Sequence, residues 1–250
     1  MPEGLIAILI LPGLEWLLAV TLLAGVVYGF AGFGSALIFM PLATLILEPT
    51  LAVAAFAISA LSSLITVVPA AWKIADRSAV VTLLLAAFVT MPLGIFVLRS
   101  WDVTVIQLMV SVVVFITLGA LMLGWRYHTI PSTRTRIAVG AATGIVGGAT
   151  GLMGPIVILF NLGSGASVSI TRANTLVFLT LISLLMLPQM ALQGVLSRPA
   201  IWLGLIMLVP YGLGTLVGRR FFNPEFELVY RRTAYAIIAL AAIVGLPIWE

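Results

Sequence analysis

Along most of the chain, apolar runs of about 20 residues are separated by short polar breaks, the spacing expected of helices that cross a bilayer. Leu5–Leu11 is a short apolar lead-in that ends at Pro12-Gly13. Leu14–Leu47 follows and is too long for one simple span. Leu51–Trp72, Ala79–Leu98 and Val103–Trp125 complete a first group, and Arg126–Arg136 is the most polar stretch of the chain. Beyond it come Ile137–Leu162, Ile170–Leu192, Ala200–Val217 and Leu228–Ile248. The pattern predicts an all-α polytopic membrane protein with eight hydrophobic segments, four and then four. It divides into a first unit, 1–125, a basic linker, 126–136, and a second unit, 137–250.

The first long segment of each unit is punctuated by glycine. Gly25, Gly29, Gly32 and Gly34 interrupt one, which Pro41 closes; Gly140, Gly144, Gly147, Gly148, Gly151 and Gly154 interrupt the other, with Pro155 directly after. A shift of 119 residues places Gly25, Gly29 and Gly32 on Gly144, Gly148 and Gly151, and Ser35 on Gly154. Pro69 falls on Pro188 at the same shift, and Met91-Pro92-Leu-Gly94 resembles Val209-Pro210-Tyr-Gly212 one residue away from it. A glycine inside a helix costs about 1 kcal/mol against alanine. Repeating that cost at matched positions points to close helix packing or to a deliberate break. In lipid a break survives only where protein or a watery cavity satisfies the freed backbone. Paired interruptions in two halves are the sequence signature of a transporter binding site.

Composition fixes the class. Of 250 residues, 62% are hydrophobic and 8% charged, whereas soluble domains carry about 25% charged residues. The net charge of +4 would suit nucleic acid, but the 12 basic residues are scattered over loops and are better read as determinants of membrane orientation. With no cysteine and one histidine, His128, neither thiol chemistry nor a His-based metal cluster is expected, and no cofactor is. Met-Pro-Glu at the start lacks the basic region of a signal peptide.

Two arrangements of the segments distribute the charges differently. Eight plain spans place Lys73, Arg77, Arg126, Arg134, Arg136 and Arg198 on one side and Arg99, Arg172, Arg219, Arg220, Arg231 and Arg232 on the other, a tie. If both glycine-broken segments dip in and return, ten of these lie on one side and only Arg99 and Arg198 on the other. The second split is the bias of membrane proteins, with basic residues inside. It makes each unit three spanning helices plus one broken or re-entrant element, and the odd number of crossings makes the units inverted repeats. Both termini then lie outside and the linker inside.

The second parts of the broken segments begin near Phe33–Ser35 and Met153–Pro155. A helix N-terminus presents unpaired N–H groups and about half a positive charge, so two of them meeting at the midplane make an anion site without a charged side chain. Glycine admits a ligand close to the backbone, and Pro155 suits a first helical turn. The competing reading is that the glycines are packing notches. Gly32, Phe33, Gly34, Ser35, Thr150, Gly151, Met153 and Gly154 are the candidate substrate-binding residues at the breaks. Arg172 and Asn174, at the start of the sixth segment, join them, because a cation or an amide within a span needs a partner. Ser59, Ser62, Ser63 and Thr66 read as helix packing, and Gln189 and Gln193 as interfacial. Trp16, Trp72, Trp101, Trp125, Trp202 and Trp249 sit near span ends, as an aromatic belt requires.

Gly29-Phe-Ala-Gly32-Phe-Gly34-Ser35 running to Pro41, and Gly148-Ala-Thr-Gly151-Leu-Met153-Gly154-Pro155, resemble the doubled glycine motif of the TauE/SafE sulfite exporter family, over roughly residues 18 to 247. Ser35 stands where that motif more often has glycine. The resemblance implies a multi-pass transporter of the bacterial inner membrane that moves a small sulfur-containing anion, sulfite or an organosulfonate, commonly outward. The expected partners are that anion and the lipid bilayer, with no nucleic acid; a homo-oligomer is compatible with the pattern. A passive anion channel, or an importer coupled to protons or sodium, are the alternatives. An intramembrane hydrolase would need a serine with a histidine, or paired aspartates, within a span, and His128, Asp76 and Asp102 fall in the linker and loops. Glu48, Asp76, Asp102, Glu225 and Glu227 fall in loops and Glu15 at the outer mouth of the first broken segment, so no carboxylate is expected deep in the membrane to couple transport to a second ion.

Overall fold

The computed structural model describes residues 3–124, 132–222 and 227–245. The expectations for Trp125, His128, Trp249 and the linker residues 126–131 lie outside the described residues. The chain is a multi-pass membrane protein, helical with no strand among the described residues. Its elements are α1 (Glu3–Leu9), α2 (Leu14–Ala31), α3 (Ser35–Ala43), α4 (Pro49–Ala60), α5 (Ser63–Thr66), α6 (Val68–Ala71), α7 (Arg77–Ser100) and α8 (Val103–Met122), then α9 (Thr133–Thr150), α10 (Pro155–Gly163), α11 (Val168–Leu192), α12 (Arg198–Phe221) and α13 (Glu227–Val244). Six stretches are long and apolar enough to cross a membrane, namely α2, Pro49–Thr66, α7, α8, α11 and α12; the apolar part of α13, Arg232–Val244, is shorter.

Both glycine-rich segments break where the glycines cluster, and they break alike. The 18-residue α2 is followed by the nine-residue α3, and the 18-residue α9 by the nine-residue α10. Each pair is a hairpin. A Cβ on Gly13, at the start of α2, would lie 2.9 Å from Ile46, just past the end of α3. Arg136, in the first turn of α9, and Asn161, near the end of α10, line one pocket.

Two boundaries differ from the sequence reading. The expected span Leu51–Trp72 is divided into α4, α5 and α6. Ser59 donates to Phe56 O (2.8 Å), Ser62 to Ser59 O (2.9 Å) and Thr66 to Ser62 O (3.1 Å), and hydroxyls bonded back onto the preceding turn bend a helix. Pro69, just after, supplies no N–H. Thr133–Arg136, expected in the linker, is instead the first turn of α9, capped by Ser132, whose hydroxyl accepts from Thr135 N at 3.2 Å.

Contacts along the helices fix their directions. Gly25 and Gly29 of α2 meet Gly214 and Gly218 of α12 in the same order, so the two helices are parallel. Gly140, Gly144 and Gly148 of α9 meet Leu83, Ala87 and Met91 of α7 in the same way. Ala55 and Ile58 approach Gly204, and Thr66 bonds Thr215, so α4 also runs parallel to α12. Asp76 N donates to the Asn174 side chain and Gln189 to Phe88 O, so α11 runs parallel to α7. The helices α2 and α4 therefore point the same way, which requires α3 to carry the chain back between them.

Gln189 is 6% exposed rather than interfacial. Its Nε2 donates to Phe88 O at 2.9 Å. That carbonyl lies four residues before Pro92, whose ring leaves it without a helix donor. Gln193, one turn on, donates to Pro92 O at 3.1 Å.

The parallel glycine contacts leave no room for a methyl group. A Cβ on Gly25 would sit 2.5 Å from Tyr211 O, and one on Gly140 2.6 Å from Leu83 O. At Gly119 nothing lies within 4 Å. Gly25→Ala and Gly140→Ala are each expected to lose about 1–3 kcal/mol through overpacking, a fall of several degrees in the unfolding midpoint of the detergent-solubilised protein followed by tryptophan fluorescence. Gly119→Ala should hold or raise that midpoint.

Candidate functional site

The site is built at the two breaks. Gly32 ends α2 in the left-handed region (φ 83°), its N–H donating to Tyr28 O at 2.9 Å, and Gly34 (φ 92°) turns the chain into α3. Gly151 (φ 74°) ends α9, its N–H donating to Gly147 O at 2.8 Å, and Pro155 opens α10. Residues with a Cβ rarely adopt these positive φ values, and glycine does so freely.

The first intrahelical bonds of the short helices are Ile38 N to Gly34 O and Ile158 N to Gly154 O. The N–H groups of Ser35, Ala36 and Leu37, and of Ile156 and Val157, precede them and have no acceptor within their helices. Both N-termini face one cavity, which Gly34, Ser35, Ala36 and Leu37 line from one break and Gly151, Met153, Gly154 and Pro155 from the other. Leu179 and Ser183 lie at the middle of α11, and Tyr211 near the middle of α12, so the cavity sits halfway along the long helices. Its volume is about 40 Å³, room for roughly three waters at 10–15 Å³ each.

Among the described residues no charged side chain lines this cavity. Its favourable field for an anion comes from two helix N-termini, each carrying about half a positive charge, and from hydroxyls. Tyr211 OH donates to Ser35 Oγ at 3.0 Å, which leaves the Ser35 proton free to point elsewhere. Tyr28 OH reaches Leu176 O at 2.9 Å and Thr180 Oγ1 at 3.0 Å. The two tyrosine rings lie 6.0 Å apart, and Phe56 meets Tyr211 edge-on at 5.7 Å. The arrangement suits a small ion with a dispersed negative charge, held by N–H and O–H donors against aromatic walls.

Of the residues singled out from sequence, Gly34, Ser35, Gly151, Met153 and Gly154 line the cavity. Gly32, Phe33, Thr150, Arg172 and Asn174 do not. Gly32 forms the turn itself, and Phe33 packs against Tyr235 with ring centroids 6.4 Å apart. Thr150 holds the break: its hydroxyl donates to Val146 O at 2.7 Å and accepts from Leu152 N at 3.2 Å. Asn174 lines a separate pocket. Arg172 donates to Phe30 O at 3.1 Å and to Gly29 O, and stacks 4.0 Å from the centroid of Phe222. It bonds the carbonyls at the C-terminus of α2, where a cation is also favoured by the helix dipole. Tyr28, Tyr211, Phe56, Leu179, Ser183 and Met186 also line the cavity, beside the small side chains of Val53, Ala57 and Ala60, and the sequence pattern does not single them out. The signal for the tyrosines was a phenol in mid-span, which needs a polar partner when buried.

The family model described as Sulfite exporter TauE/SafE matches residues 17–245. No curated protein and no solved structure matches the chain.

Arg172 serves the break and not the cavity, and its loss should be read in stability. Arg172→Gln leaves carbonyls of Gly29 and Phe30 short of donors, at about 1–3 kcal/mol for each buried group left unsatisfied. The expected result is a lower unfolding midpoint, with the half-saturating substrate concentration of the surviving transport unchanged. Arg172→Lys, with one ammonium in place of the fork, should recover part of the stability.

Proposed function

We propose, since the chain belongs to the sulfite exporter TauE/SafE family, that its central cavity binds a small sulfur-containing anion of the sulfite or organosulfonate class and passes it outward across a bacterial inner membrane. The family is one of transporters, and the chain is not an enzyme. The observation that carries the reading is the meeting of two helix N-termini, α3 and α10, at one uncharged cavity halfway along the long helices. An anion there is held by backbone dipoles in a low-dielectric surround, where each N–H bond is worth more than in water. Because no fixed cation has to be left behind, release costs less than from an arginine. A cavity of about 40 Å³ favours the smallest members of the class, ions of about four heavy atoms.

In this reading the chain is two inverted repeats, 1–125 and 137–250 by sequence, the second extended by the first turn of α9, Thr133–Arg136, so that the linker shortens to 126–132. Each has one hairpin, α2–α3 or α9–α10, and three spanning elements. Support comes from the equal lengths of the paired short helices and from the direction of α4, parallel to α2. The ten-to-two division of Lys and Arg also agrees and places the linker inside. Since the chain has no cysteine, single ones report topology cleanly. Ser132→Cys is expected to be shielded from an impermeant thiol reagent added outside intact cells, and Asp102→Cys to be labelled. Labelling of Ser132→Cys from outside would sink the inverted arrangement.

The energetics favour export. An anion leaving a cell that is negative inside gains about 2.3 kcal/mol per charge per 100 mV, roughly a 50-fold gradient per charge. Among the described residues no carboxylate lines the cavity to bind a proton or sodium. Sulfite efflux from loaded proteoliposomes, clamped with valinomycin and potassium, should rise as the interior is made negative and ignore imposed proton or sodium gradients. Gly154→Ala is the matching site test. Gly154 has an ordinary φ of −79°, and a Cβ there would meet nothing closer than Leu179 at 3.9 Å. The variant should fold normally and lose most of its efflux as the added methyl fills the cavity. Efflux indifferent to voltage but driven by a proton gradient would overturn the uncoupled mechanism.

A further inference from the structure

A second pocket, of about 240 Å³, opens at the other end of α10. Asp76, Arg136, Asn161, Ser164 and Asn174 supply its polar wall. The central cavity begins at Pro155 and this pocket at Phe160 and Asn161, so one short helix separates them by about 9 Å at 1.5 Å per residue. The proposed topology puts the pocket on the inner face.

Its donors are only partly used. Arg136 touches Asp76 through one contact of 3.4 Å, and Arg136 Nε is buried with no hydrogen-bond partner among the described residues. Asn174 accepts from Asp76 N at 2.8 Å through Oδ1, which leaves its Nδ2 group to donate. Asn161 spends one N–H on Thr175 Oγ1 at 3.0 Å and keeps a second. The only negative group on the wall among the described residues is the Asp76 carboxylate. Its Oδ1 caps α7 by accepting from Ala79 N at 3.1 Å, and its Oδ2 holds Arg136.

The matching positions of the first unit carry none of this chemistry. At the shift of 119 residues Arg136, Asn161 and Asn174 correspond to Leu17, Leu42 and Ala55. All three are buried in the apolar core, at 0%, 6% and 0% exposure. At these three positions the polar side chains belong to the second unit.

We propose that this pocket is a second anion-binding site, a loading vestibule on the inner face. There Arg136 exchanges its weak contact with Asp76 for a small oxyanion that Asn161 and Asn174 also bind. Asp76 is the latch: it occupies Arg136 when the vestibule is empty and opposes the incoming charge. The site rests on the transport reading for its purpose, but its occupancy is measurable without transport.

The test uses two variants with opposite expected signs. Uptake of sulfite into inside-out membrane vesicles, whose inner face meets the medium, gives the half-saturating concentration at that face. Arg136→Gln should raise it at least tenfold, the loss of charge-assisted hydrogen bonds, with a smaller change in maximal rate. Asp76→Asn keeps a side chain that caps α7 but removes the latch charge, and should lower it several-fold. If the two variants shift it in the same direction, or reduce only the maximal rate, the pair is a structural brace and the proposal falls. Calorimetric titration of the detergent-solubilised protein with sulfite separates the two readings. Binding that Arg136→Gln weakens tenfold, in a protein that fails to transport sulfite, would uphold the vestibule and remove the proposed function. Sulfite binding that Arg136→Gln leaves unchanged would overturn the vestibule whatever the transport result. Inorganic phosphate is the comparison arm: binding of phosphate but not sulfite would mark a lipid-headgroup site and also overturn it.

Discussion

A backbone group that loses its helix partner inside a bilayer finds no water, and each such group costs on the order of several kcal/mol. The architecture follows from meeting that demand at two chain breaks and several prolines. Arg172, brought from α11, bonds the carbonyls of Gly29 and Phe30. Thr150 accepts the N–H of Leu152 beyond the second break. Gln107 donates to Thr44 O, at 2.8 Å, where α3 ends. Gln189 takes the carbonyl that Pro92 leaves open. The polar side chains of this very apolar protein are spent largely on its own backbone. Among the described residues the N–H groups at the N-termini of α3 and α10 have no acceptor within their helices, and those are groups a negative ligand can satisfy.

Such a site needs its two ends held at a fixed separation. The glycine contacts provide the rigidity, because backbone touching backbone has no side chain to yield. The glycines read from sequence divide between two tasks, and the two readings of them both apply to different residues. Gly25, Gly29, Gly140, Gly144 and Gly148 are contact surfaces for α12 and α7. Gly32, Gly34 and Gly151 are turns with positive φ. A single stretch therefore docks one helix and then ends it, which couples the position of each N-terminus to the packing of the helix before it.

The sequence made the class, the breaks and the first residues of α3 and α10 legible, because each rests on local pattern: apolar length, glycine spacing, and a proline at the start of a turn. It did not reveal what lies across the cavity. Tyr28, Phe56 and Tyr211 come from three separate helices, and nothing in the period of an apolar run says which face of it meets a cavity. The sequence makes Arg172 a candidate ligand for the anion because a cation within a span needs a partner. Its partner turned out to be a carbonyl more than a hundred residues earlier, and an i-to-j contact of that length leaves no trace in spacing. The division of Leu51–Trp72 was missed for another reason. The run is apolar enough to span, and the hydroxyls that break it were read as packing groups rather than as competitors for the backbone.

The parallel pairing of α2 with α12 has a consequence for how the protein is made. Roughly 190 residues separate Gly29 from Gly218, and at about 5–20 residues per second the ribosome takes on the order of 10–40 s to deliver the partner. For that interval α2 is in the membrane with a bare strip of backbone along one side and its broken end uncapped, since Arg172 is also still to come. The newborn helix must be sheltered, by the insertion machinery or by lipid, until nearly the whole chain has been translated. For this pair membrane integration and docking are therefore separate events, whereas α9 can settle on α7 as soon as the chain has reached Gly148.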